Sequence, residues 1–151
     1  LSVDVPARIE GSGRLYAGFE QAAARWPGAV AIEVPPAPGR PARRVVTYAE
    51  LREQSEQLAG AVHRVLGGVG VVAILLPRTS EAVYLGQLAV LQSGSAYVCV
   101  DPSFPDQQLG DILRDSGAEA LLTDAQGAAR ARSTGFEGPV LLMDRPIPAA
   151  D

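Results

Sequence analysis

Leu91-Gln92-Ser93-Gly94-Ser95-Ala96-Tyr97-Val98-Cys99-Val100-Asp101-Pro102-Ser103-Phe104-Pro105 is the stretch on which the fold turns. It reads as the last turn of a helix, a glycine stop, a strand and a double-proline exit. Leu91 closes an apolar helical pattern, and Gly94 can adopt the left-handed conformation that ends helices at little cost. Ala96 to Val100 is a short apolar run with β-branched and aromatic members, as expected of a central strand covered on both faces. Asp101-Pro102 ends it, because proline cannot donate to a sheet ladder.

Working outward, the same alternation repeats. Upstream, Glu81 to Gln92 carries apolar residues on nearly every face and predicts a largely buried helix, capped by Thr79 or Ser80. Val69 to Leu76 predicts a buried strand, set off from the preceding helix by Gly67-Gly68. That helix starts at a capping box, Thr47-x-x-Glu50, and its inner stripe is Leu51, Ser55, Leu58, Val62 and Val65-Leu66. Ala29 to Val34 and Arg44 to Tyr48 predict a hairpin whose tip, Pro35 to Pro41, is long and poorly ordered. Arg14 to Arg25 is a helix with Leu15, Phe19 and Ala22-Ala23 inward, stopped by Pro27.

Downstream, Pro105-Asp106 opens a helix to Asp115, with Leu109, Ile112 and Leu113 inward, and Gly117 stops it. Ala120 to Thr123, Ala125 to Arg132 and Pro139 to Met143 then predict strand, helix, strand. Strands alternating with helices make an α/β fold with a mostly parallel sheet flanked by helices, preceded by the N-terminal hairpin. Residues 1–13 show no periodicity and read as a linker or leader, 14–145 as the folded body, and 146–151 as a tail. The chain has no initiator methionine, as expected of a piece of something longer.

Composition narrows the function classes. The 151 residues are 47% hydrophobic and 20% charged, which is globular rather than disordered. A net charge of −4 argues against a nucleic-acid partner. One cysteine excludes an internal disulfide or a cysteine metal cage, and one histidine leaves little for a zinc site or a catalytic triad. No apolar run is long enough to cross a bilayer and no signal pattern opens the chain, so no membrane partner and a cytoplasmic location are expected. All 13 basic residues are arginine. Phosphate loops of the P-loop type and Schiff-base chemistry both need a lysine.

Few residues stand out as chemistry, and each has a structural role that fits better. Gly67-Gly68-Val69-Gly70 follows a helix and precedes a strand, the reverse of a nucleotide loop, and reads as a turn. His63 reads as a surface or boundary residue, and Cys99 as a small apolar group inside its strand. Arg78-Thr79-Ser80-Glu81 lies at the carboxyl end of a strand, where open sheets bind ligands, but reads as a cap with a salt bridge. Asp101 reads as a turn former and Tyr97 as a core residue with its hydroxyl satisfied. No catalytic, cofactor-binding or metal-ligating residue is assigned.

The Leu91–Pro105 stretch also resembles the second core motif of the adenylation domains of nonribosomal peptide synthetases. Leu91, Gly94, Ala96, Tyr97, Val98, Asp101 and Pro102 match it, and Cys99 stands where that family usually has proline. Val46-Thr47-Tyr48-Ala49-Glu50-Leu51 resembles the first core motif, and Leu113 to Ala118 with Leu121 to Thr123 adds a third agreement. The resemblance covers about Leu15 to Asp124. It implies the N-terminal portion of the large subdomain of an AMP-forming ligase that activates an amino acid as its adenylate and passes it to a phosphopantetheine thiol.

The resemblance also implies what this stretch lacks. The family's Ser/Thr/Gly-rich phosphate loop ending in lysine-glycine, its adenine and ribose contacts, its amine-binding aspartate and its catalytic lysine have no counterpart here. ATP and magnesium are thus implied for the full domain, phosphopantetheine for a carrier partner, and none of them for this segment. The stretch alone is expected to be an inactive scaffold. Its expected partners are the remainder of the adenylation domain and the condensation and carrier domains. A non-catalytic docking module of the same ancestry, or a segment of an acyl-CoA or fatty-acyl ligase, is the alternative. The chain is expected to leave an apolar patch uncovered, to self-associate or bind the missing C-terminal portion, and to suffer more from Gly94→Val than from Gly39→Val.

Overall fold

A computed structural model of the chain describes residues 14–144, so the expected linker and tail lie outside the described residues. Along them run α1 (Ala17–Arg25), β1 (Val30–Val34), β2 (Arg44–Thr47), α2 (Tyr48–Leu66), β3 (Val71–Leu75) and α3 (Glu81–Gln92). They are followed by β4 (Ala96–Val100), α4 (Asp106–Asp115), β5 (Ala120–Thr123), α5 (Ala125–Ser133) and β6 (Val140–Leu142). β1 and β2 form an antiparallel hairpin, and the other four strands make one parallel sheet in the order β4-β3-β5-β6.

Two-residue periodicity builds the layers. Val72, Ile74 and Leu76 join Leu122 in packing against Leu58 and Val62 of α2 and Val83 and Val90 of α3. The intervening residues Ala73 and Leu75, with Leu121, meet Leu109 and Leu113 of α4 and Ala131 of α5. Each face of the sheet is thus covered by two helices over β3 and β5. Every fully buried Leu or Val here contributes roughly 1.5–3 kcal/mol.

Local signals explain the joints. The Thr47 hydroxyl accepts from the Glu50 N–H at 3.2 Å while the Glu50 carboxylate accepts from the Thr47 N–H at 2.8 Å, so the capping box is complete. Of the two cap candidates for α3, Ser80 takes the role and accepts from Ala82. α2 ends where Gly67 and Gly68 donate back to the carbonyls of Arg64 and His63. Gly94 has φ +84°, and a Cβ there would stand 3.2 Å from Val69 Cγ1, so it is needed for both conformation and space.

Four expectations are corrected. β4 is the edge of the sheet among the described residues, with β3 and β5 at its centre, and Ala96, Tyr97 and Cys99 are exposed. Apolar composition reports what a strand's faces are made of, not what lies over them. Leu15, Val65 and Val69 are exposed rather than inward: Leu15 precedes α1, Val65 falls off the stripe, and Val69 lies before β3 begins. The hairpin tip is a closed turn, because Ala37 and Arg40 exchange backbone hydrogen bonds of 2.9 and 2.8 Å. Gly39 within it has φ +80°, so it is no neutral control for Gly94. α3, expected to be buried on most faces, buries Val83, Gly86, Ala89 and Val90 and leaves Leu85, Leu88 and Leu91 half-buried.

Candidate functional site

The carboxyl ends of the parallel strands are where an open sheet meets ligands, and most of the singled-out polar residues gather there. Asp101 follows β4. Its Oδ1 accepts from the Ser103 N–H at 2.9 Å and its carbonyl accepts from the Phe104 N–H at 3.1 Å. The Arg78 guanidinium, at the end of β3, lies 3.7 Å from the Asp101 carboxylate. The Ser103 N–H, then the Ser103 side chain and Arg78 hold the Asp101 carboxyl below the usual carboxylate range. An aspartate so held accepts hydrogen bonds and does not offer a proton at neutral pH. The turn-forming and salt-bridging roles expected of Asp101 and of Arg78 to Glu81 are the ones the geometry gives.

Glu81 pairs with Arg44 of the hairpin at 2.8 Å, closing one wall of a cavity of about 620 Å³. Its floor is Leu76, Pro77, Leu85 and Met143, and Asp124 and Asp144 stand at the rim. Both rim carboxylates are engaged by backbone: Asp124 accepts from Gly127 at 2.8 Å and Asp144 from Ala125 at 3.4 Å. The donor set does not fit a nucleoside triphosphate with its magnesium. Its charged lining is three carboxylates against one paired arginine, and like charges repel. Among the described residues no group of three or more His, Cys, Asp and Glu side chains could hold a metal.

A second cavity, of about 500 Å³, lies between the hairpin, α3 and the β4 edge. Phe19, Tyr48, Tyr84, Leu88, Leu91 and Tyr97 line it. Tyr97 is therefore not a core residue: it is 37% exposed on an aromatic groove. Cys99, expected inside the sheet, is an exposed thiol whose Sγ accepts from Gln87 Nε2 at 3.3 Å. Both errors share a cause, the edge position of β4. His63 is exposed on α2, away from these residues. No helix among the described residues is long and apolar enough to cross a membrane.

Sequence patterns passed over the side chain with the most hydrogen bonds among the described residues. Arg130 of α5, 23% exposed, donates Nε to Asp106 at 2.8 Å and its two terminal nitrogens to the carbonyls of Pro102 and Phe104, both at 2.6 Å. It ties the exit of β4 and the start of α4 to α5. The planar fork suits three divergent acceptors, which a point charge does not. No local pattern marks it, since the partners lie 24 to 28 residues away. Glu119 was also missed: its carboxylate accepts from the Val71 N–H at 3.4 Å, across 48 residues of chain.

Comparison with known proteins sets this geometry in context. The AMP-binding enzyme family model matches residues 19–146. Surfactin synthase subunit 1 of Bacillus subtilis is 36% identical over 126 residues, which is 83% of this chain and 3% of that protein. The crystal structure of IdnL7 superposes with a TM-score of 0.72 at 28% identity, over 88% of this chain and 25% of that one. An artificially fused adenylation–PCP di-domain synthetase from Klebsiella oxytoca, NpsA-ThdA, gives a TM-score of 0.66 at 28% identity, over 82% and 23%. The chain thus spans about a quarter of these solved structures and 3% of the surfactin synthase subunit.

Proposed function

Because the chain belongs to the AMP-binding enzyme family, we propose that it is the scaffold portion, residues 14–145, of an amino-acid adenylation domain in nonribosomal peptide synthesis. The whole domain would activate a carboxylate as its acyl-adenylate at the expense of ATP. It would then pass the acyl group to a phosphopantetheine thiol on a carrier domain of the same assembly, next to a condensation domain. The observation that carries this is the family match over residues 19–146 combined with a parallel sheet that superposes on adenylation-domain structures.

Within that activity these residues build and hold the sheet. The Thr47–Glu50 box fixes the entry to α2, Ser80 fixes the entry to α3, and Arg130 fixes the loop after β4. ATP and magnesium, when bound, supply the leaving group and its charge neutralisation, and nothing in the donor set described above would hold them. The resembled phosphate loop ends in a lysine, and the 13 basic residues here are all arginine, whose planar fork does not replace a lysine point charge.

Sequencing the genomic locus past the codon for Asp151 tests the proposal. A Ser/Thr/Gly-rich segment ending in lysine-glycine is the expected continuation. A stop codon there would instead favour a docking module that uses the fold without the chemistry.

A further inference from the structure

We draw no further inference here: the strongest candidate, the aromatic groove of Phe19, Tyr48, Tyr84 and Tyr97 between the hairpin, α3 and the β4 edge, carries nothing, because nothing in the structure shows what covers it.

Discussion

Gly127→Ala tests how α5 sits on the sheet. Gly127 lies in the first turn of α5, and a Cβ there would fall on the Thr123 hydroxyl and come within 3.2 Å of Leu75 Cδ2. Thr123 cannot yield cheaply: it is fully buried, and its hydroxyl donates to the Leu75 carbonyl at 2.7 Å. Overpacking costs about 1–3 kcal/mol. Turning the hydroxyl away leaves a buried polar group unpaired, for about 1–3 kcal/mol more. Helix propensity returns at most about 1 kcal/mol. The expected net loss is about 1–5 kcal/mol, most of it from the close approach. Gly60→Ala in α2 is the control, because its nearest contact would be 3.4 Å from a flexible Arg64 nitrogen. That variant should gain up to about 1 kcal/mol. Urea denaturation followed by circular dichroism reads both. Equal midpoints for the two variants would refute the close packing of α5 on β5.

The Arg130 fork should not be replaceable by lysine: Arg130→Lys should lose about 1–3 kcal/mol in the same denaturation assay, and full retention would show that charge alone suffices. Gly94→Val should destabilise by about 1–3 kcal/mol, more than Gly28→Val, whose Cβ would meet nothing within 4 Å; equal midpoints would remove the helix-stop role. The folded-state pKa of Asp101 is lowered, so its contribution is present above about pH 4, the unfolded value, and is lost as pH falls through the folded one. Asp101→Asn should therefore flatten the acid limb of stability against pH, and superimposable limbs would count against the Ser103 hydrogen bonds as its cause.

Periodicity and punctuation carried most of the fold. The bounds of α3, β4, α4 and β5 follow from glycine stops, proline exits and caps that act within a few residues. The antiparallel hairpin and the parallel sheet follow from how elements alternate. Strand order does not, because pairing β3 between β4 and β5 depends on contacts far apart in sequence. The misplacement of Tyr97 and Cys99 came from that gap. Among the polar residues, Asp101, Ser80 and the capping box were legible because their partners lie two or three residues away. Arg130 and Glu119 were illegible because theirs lie 24 and 48 residues away.

If these residues are the scaffold of an adenylating domain and not its chemistry, the chain by itself activates no amino acid. Amino-acid-dependent ATP–pyrophosphate exchange tests it most directly, run on the purified 151-residue chain with each common amino acid. The account predicts no exchange above a protein-free control, because no lysine or glycine-rich phosphate loop meets the triphosphate. Exchange by this chain alone, abolished by substitutions at the Arg44–Glu81 cavity, would contradict it and place the chemistry within these residues.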